Sequence, residues 1–371
     1  MSFGIAHVAV GLACGAVGFG VVQYLRTRRR PSPGTHVLVT GANKGIGLAI
    51  VKGLVQAGVP VLLGSRDYER GIAAKKSLGR EFAHLVTVLQ LDVSSDESVD
   101  QAVETVRAML PLIGGCLRGL INNAGGVAGG SNALGWSSPE HFNATMRLNW
   151  EGATLRVTEA FLPLLDTQSG DGRLVFVSSG AAPAFVSKCS PARQAQLCNP
   201  LVSTVASLKA LATEAYGLAA QPKPQDAFFE AGLADGAPYH LSKALMSGYC
   251  QVLAKAYPRL RTNACSPGFI ETDLTRAFAT DQGKTPQQIG MKPVEDGARC
   301  PLFLMLGEPA GRGWFYGSDC KRSPLDRYRS PGDPPYTGGS SAKWAETRDQ
   351  SKQFMDTAKP APPKEETKKD K

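Results

Sequence analysis

Tyr239 and Lys243 stand four residues apart in this 371-residue chain, and they are the first pair whose types and spacing could do chemistry. On a helix they share one face, a turn apart, so an ammonium there favours ionisation of the phenol and makes it a proton donor or acceptor near the working pH. Far upstream, Thr40-Gly41-Ala42-Asn43-Lys44-Gly45-Ile46-Gly47 follows an apolar run and precedes a stretch with helical spacing. In that position Gly41 permits a tight strand-to-helix turn, while Gly45 and Gly47 let the backbone approach a pyrophosphate at the helix N-terminus. Each feature has an ordinary reading too, a surface Tyr-Lys pair and a structural glycine turn. Together they point to hydride transfer at a carbonyl or alcohol.

The elements that must position these residues alternate in kind. Residues 36–40 read as a buried first strand, 46–57 as a helix ended by Gly58, 59–64 as a second strand and 85–91 as a third. Ser94-Ser95-Asp96-Glu97 offers a capping box to a helix reaching about Leu110, and residues 117–122, 173–178 and 261–265 are further strands. Strands separated by helices predict an α/β fold of Rossmann type, a doubly wound, mostly parallel sheet that binds ligands at the carboxyl ends of its strands. One catalytic domain over residues 35–320 accounts for the pattern, with no internal repeat.

The hydrophobic fraction of 43% is ample for such a core. Much of the basic excess behind the formal charge of +9 sits at the two ends, in residues 26–30 and 364–371, which speaks against nucleic-acid binding. Eight cysteines without a CxxC and five histidines without ligand spacing give no metal site and fit reduced cytosolic thiols. Residues 3–25 carry no charge and are long enough to cross a bilayer, and Arg26, Arg28, Arg29 and Arg30 follow directly. That order favours an uncleaved N-terminal transmembrane helix within residues 1–30, a linker at 31–34 and a cytoplasmic catalytic domain. A signal peptide and a buried helix are the alternatives. Gly11 and Gly15 form a GxxxG that could also pair such helices.

The glycine loop, Asn122-Asn123-Ala124-Gly125, Asn149, Ser178-Ser179, Tyr239-His240-Leu241-Ser242-Lys243 and Ser266-Pro267-Gly268 occur in an order that resembles the short-chain dehydrogenase/reductase family. Residues 42–51, Ser65-Arg66-Asp67, Cys189-Ser190-Pro191 and a long gap before the tyrosine are most similar to its carbonyl reductases. The resemblance covers about residues 35–320 and implies a catalytic set. Tyr239 would protonate the carbonyl oxygen, Ser179 would hydrogen-bond it, and Asn149 would hold a water relaying protons through Lys243. It also implies that Gly41, Asn43, Lys44, Gly45, Ile46 and Gly47 hold the dinucleotide, that Asp92 and Val93 border its adenine, that Asn123 lies along a ribose, and that Pro267 and Gly268 face the nicotinamide. At the end of the second strand Ser65 is neutral and Arg66 follows, with Arg70 a turn later, which suits the 2′-phosphate of NADPH (NADP+). A strand boundary shifted by one residue would instead make Asp67 a ribose ligand for NAD.

Ser179 and Tyr239 are 60 residues apart, farther than in most of the family. The insertion at 188–238 contains an amphipathic stretch at 201–218 and then Phe228-Phe229; the resemblance to carbonyl reductases implies that it covers the helices used elsewhere for tetramers, leaving a monomeric catalytic domain. Residues 272–292 are the expected substrate cover, with Phe269, Ile270 and Phe278 serving apolar ligands or anchoring the loop. In the extension 321–371, residues 324–339 read as loop, 342–356 as a short helix docked through Trp344 and Phe354, and everything from Lys359 as disordered. The final Lys368-Lys369-Asp370-Lys371 matches a dilysine signal read by coat proteins, which favours the endoplasmic reticulum over the mitochondrial outer membrane. The sequon Asn143-Ala144-Thr145 checks this topology, because a sugar on Asn143 would put the domain in the lumen.

The expected function is a membrane-anchored, NADPH-dependent reductase of carbonyl compounds such as quinones, aldehydes or ketones. A retinol, hydroxysteroid or other alcohol dehydrogenase is the runner-up. A non-catalytic NADP-binding sensor or scaffold is a further alternative, disfavoured by the intact Asn149, Ser179, Tyr239 and Lys243.

Overall fold

The computed structural model describes residues 36–127, 134–343, 345, 346, 348 and 349. Its centre is one eight-stranded sheet. β1 (Val37–Val39) leads through the glycine loop to α1 (Gly45–Gln56), β2 (Val61–Ser65), α2 (Tyr68–Ser77), β3 (Val86–Gln90) and α3 (Asp96–Met109). After β4 (Gly119–Asn122), α4 (Pro139–Met146) runs on through a π-helical segment, Arg147–Arg156, into α5 (Val157–Phe161). β5 (Arg173–Val177) is followed by α6 (Ala181–Val186), α7 (Pro191–Cys198), α8 (Val205–Ala219), α9 (Pro224–Glu230) and the long α10 (Pro238–Ala256). β6 (Arg261–Cys265), α11 (Arg276–Asp281), α12 (Val294–Leu306), β7 (Phe315–Tyr316) and β8 (Arg322–Ser323) complete the described elements.

The strand order is β3-β2-β1-β4-β5-β6-β7-β8, all parallel except for the final antiparallel hairpin. Strands this rich in Val, Leu and Ile suit a sheet covered on both faces. Alternation divides the core: Val37 and Val39 pack with Ile50 of α1 and Leu304 of α12, whereas Leu38 faces Val103 of α3 and Leu245 of α10. The order reverses between β1 and β4, so the crevice at the carboxyl ends opens beside the glycine loop.

Three expected boundaries move, each for a local reason. β2 includes Ser65, so Arg66 is the first residue past the strand. Asp67, the second residue past the strand, caps α2 by accepting the Arg70 amide at 3.0 Å. The Ser94 box does not form: the Ser94 hydroxyl is bonded to Asp92 at 2.6 Å, and Ser95 caps α3 in its place by accepting the Ser98 amide. In the insertion, Thr204 and Ser207 close a capping box that starts α8 at Val205.

The sheet runs past residue 320 into β8, and the chain beyond folds back over it. There the buried Arg329 guanidinium grips both Asp319 oxygens, at 2.9 and 2.8 Å. Residues 1–35, Trp344, Phe354 and the lysine-rich C-terminus lie outside the described residues. Among the described residues, no helix is long and apolar enough to cross a membrane.

The insertion is held by one aromatic side chain more than any other. Phe228 is fully buried, 5.4 Å from the Phe142 ring of α4 and 6.0 Å from Trp136, while its neighbour Phe229 is exposed. Phe228→Ala is expected to lower unfolding free energy by about 3–5 kcal/mol in urea titration. Phe229→Ala should change it by less than about 0.5 kcal/mol.

Candidate active site

Helix α10 opens with Pro238, whose fixed φ suits a first helical turn, and so brings Tyr239 to the carboxyl end of the sheet with Lys243 one turn deeper. Both are buried. Lys243 Nζ donates to Val177 O, the last carbonyl of β5, at 3.0 Å and lies 5.7 Å from the centre of the Tyr239 ring. An ammonium has three donors, and no other acceptor for Nζ stands among the described residues. Burial pulls Lys243 down from 10.5 to about 8.

Burial pushes the Tyr239 phenol up, and a hydrogen bond with Ser179 opposes that rise. The sequence-based expectation is that Lys243 lowers the phenol; here burial raises it, and only the Ser179 bond opposes the rise. A phenol held neutral is a proton donor, as carbonyl reduction requires.

The serine pair divides its work. Ser178 turns inward and bonds Lys243 O at 3.1 Å and Ser247 Oγ at 2.9 Å, while Ser179 faces Tyr239. Asn149, fully buried in the π-helical segment, ties the loop after β4 to α10. Its amide accepts from Gly126 N and donates to Gly126 O, both at 2.9 Å, and donates to Ser242 Oγ at 3.0 Å. Its side-chain oxygen, accepting one bond, keeps a second lone pair for a relay, while its main-chain carbonyl receives the Thr154 hydroxyl at 2.7 Å. Gly125 is required here, since a Cβ would lie 2.9 Å from Asn149 Oδ1 and 3.5 Å from Lys243 Nζ.

The residues expected to hold a dinucleotide line the same crevice. Gly41 and Gly45 adopt left-handed φ of 60° and 55°, and a Cβ on Gly47 would strike Gly41 O at 2.4 Å. The N-terminus of α1 carries no side-chain cap and no acidic residue in its first turn, leaving its amides for an anion. Arg66 is exposed and unpaired among the described residues. These features, with the spare Lys243 donors, fit a phosphorylated dinucleotide.

Other expected residues are partly engaged. Lys44 is ion-paired with Asp273 of the loop after β6, and Arg70 with Asp67 at 3.4 Å. Asn43 lies half-buried in the loop, and Ile46 packs towards Gly297 of α12. The Asn123 amide holds Thr40 O and Gly41 O at 2.9 and 3.2 Å, so it braces the glycine loop. Asp92 accepts from Ser94, and Val93 O receives Arg156 at 3.0 Å. Gly268, with φ 97°, and Pro267 stand where Ser266 Oγ accepts from the amides of Gly268 and Gly180 at 3.2 and 3.1 Å. In the substrate loop Ile270 is buried and paired with Lys292, Phe278 is half-buried and Phe269 is exposed.

A family model described as short chain dehydrogenase matches residues 35–190. The (+)-neomenthol dehydrogenase of Arabidopsis thaliana is 32% identical over 302 residues, covering 73% of this chain and 91% of that protein. The chain belongs to the short-chain dehydrogenase family. Carbonyl reductase (NADPH) 1 of Homo sapiens is 32% identical over 295 residues, covering 76% of this family member and 95% of that enzyme. Among solved structures, menthone neomenthol reductase from Mentha piperita matches with TM-score 0.59 and 27% identity over 76% of this chain and 98% of its own. Salutaridine reductase from Papaver somniferum, at 24% identity and TM-score 0.61, shares the fold over 76% of this chain and 99% of its own.

Three supporting residues were not singled out from the sequence. Thr40 Oγ1 receives the amides of Asn123 and Ala124 at 3.0 and 2.9 Å, and Ser242 bridges Asn149 to the Tyr239 carbonyl. Both lie inside the quoted motifs, where a polar residue at a strand end or in a helix core was the available signal. Asp273 had none. Among the described residues no cluster of His, Cys, Asp or Glu could hold a metal.

The buried ammonium has a measurable consequence. Lys243 titrates at about 8 when folded and at the ordinary 10.5 when unfolded, so between those values the unfolded chain binds a proton that the folded chain does not. Stability of the ligand-free protein therefore rises with pH across that window. Melting followed by circular dichroism should show the rise in the native protein and a smaller one in Lys243→Met.

Proposed function

We propose that this short-chain dehydrogenase reduces aldehydes, ketones or quinones with NADPH. The observation that carries the reading is the convergence of Tyr239, Ser179 and Lys243 at the open end of the sheet, with the phenol held neutral and bonded to Ser179. When bound, the reduced nicotinamide supplies the hydride. Ser179 orients the carbonyl oxygen, and Tyr239 gives it a proton. The Lys243 ammonium lies behind that phenol, favouring its ionised form once the proton has left. Asn149 and Gly125 keep the lysine's space open.

The exposed Arg66, first residue past β2, supports NADPH over NADH. Relatives described as NADPH carbonyl reductases support the same choice. Gly41, Gly45, Gly47 and the free amides of α1 would hold the pyrophosphate, with Lys44 and Arg66 nearest the added phosphate.

Consumption of NADPH against a carbonyl panel tests the reading. Tyr239→Phe should lose about 10²-fold or more in kcat with NADPH affinity intact. Arg66→Ala should weaken NADPH binding about tenfold, the worth of one charge-assisted contact, and leave NADH unaffected. Equal turnover in Tyr239→Phe would refute the assignment.

The proposal extends to a tether. The chain enters the fold at His36, at the start of β1, where His36 O accepts the Arg118 amide at 3.0 Å. That is the amino end of the strands, opposite the catalytic crevice, which supports an anchor at residues 3–25 that does not obstruct the crevice. The basic flank and the terminal dilysine support an endoplasmic reticulum membrane with coat-protein retrieval. Helices α7 to α9 pack over α4 and α10, which supports a monomeric catalytic domain. Full-length protein should stay with membranes through an alkaline carbonate wash; release into the supernatant would remove the tether from the proposal.

A further inference from the structure

The C-terminal strap, residues 324–341, carries no family motif, yet it reaches the residue that follows the catalytic serine. Gly180 follows Ser179 directly. The atoms nearest to a Cβ placed on Gly180 are Tyr328 Cε2 at 2.8 Å, Tyr328 Cδ2 at 3.5 Å and Ser266 Oγ at 3.8 Å. One edge of the Tyr328 ring thus rests on the Gly180 backbone, and 46% of the residue stays open to solvent. Gly180 is one residue from the reacting centre, since Ser179, its chain neighbour, is hydrogen-bonded to Tyr239.

The ring is held there by design of the strap. The next residue, Arg329, is buried, holds Asp319 bidentately at 2.9 and 2.8 Å, and donates from Nε to Pro334 O at 2.9 Å and from Nη2 to Asp333 O. Asp319 belongs to the turn between β7 and β8, and Ser318 of that turn lies 3.1 Å from a Cβ built on Gly268. A single buried guanidinium therefore couples the position of Tyr328 to the turn beside Pro267 and Gly268. Burial and the neighbouring Asp333 carboxylate keep the phenol neutral.

We infer that Tyr328 forms a wall of the substrate cleft and selects carbonyls borne on flat ring systems. The inference rests on the reductase reading and deepens it. An uncharged aromatic face, half exposed and braced against backbone, offers offset stacking to a planar substrate. A small open-chain carbonyl bound at Ser179 and Tyr239 is too short to use it. Gly180 matters because any side chain there would displace the ring.

The test uses the full chain, NADPH, and two substrates, a three-ring ortho-quinone (9,10-phenanthrenequinone) and propanal. Tyr328→Ala should lower kcat/KM for the quinone about tenfold, mostly through KM, and change propanal by less than about twofold. Tyr328→Phe should keep quinone activity within about twofold. Gly180→Ala should reduce quinone activity in the native background and have little effect in Tyr328→Ala, since the two residues act through one contact. Equal losses on both substrates, or an unchanged quinone KM in Tyr328→Ala, would overturn the inference while leaving the reductase reading in place. Absence of turnover on both substrates by the native protein would overturn the reductase reading and this inference with it.

Discussion

A lysine ammonium buried beneath a phenol, with one main-chain carbonyl to receive it, is the constraint that the rest of this structure serves. Lys243 meets Val177 O at 3.0 Å because β5 ends there and leaves that carbonyl outside the ladder. Room for the charge exists because Gly125 has no side chain, and the room stays open because Asn149 ties Gly126 to Ser242. The π-helical segment carries Asn149 into that position, and the Thr154 hydroxyl bonds the Asn149 carbonyl five residues back. A cation so sparsely solvated is unfavourable in isolation, which its lowered pKa of about 8 records. The same poverty of partners makes it ready for a polar ligand.

Much of this was legible in the sequence where the determinants are local. The glycine loop announces itself because Gly41 and Gly45 need left-handed φ and Gly47 has no space for a Cβ. Tyr239 and Lys243 are readable because helix periodicity alone places them together. The parallel sheet follows from alternating patterns, each strand being separated from the next by a helix.

What was not legible depends on contacts between distant segments. Resemblance singles out Ser179, but the physical reason, Ser178 turned away onto Ser247 and Lys243 O, lies across the β5–α10 interface. The sign of the Tyr239 shift depends on desolvation, which spacing cannot report. Asp67 and Arg66 were separable only once β2 was seen to include Ser65. The strap is loop, as read, but what holds it, the buried Asp319–Arg329 pair among others, follows no period in the chain.

The central claim is that a neutral Tyr239 phenol delivers the proton during carbonyl reduction, and the pH profile of kcat/KM for the carbonyl at saturating NADPH tests it most directly. A phenol whose pKa is raised by burial is protonated throughout the neutral range, so the account predicts a rate that is level there and declines only on the alkaline side as the proton is lost. A rate that instead climbs through neutral pH, as a group acting as a base would give, would contradict it.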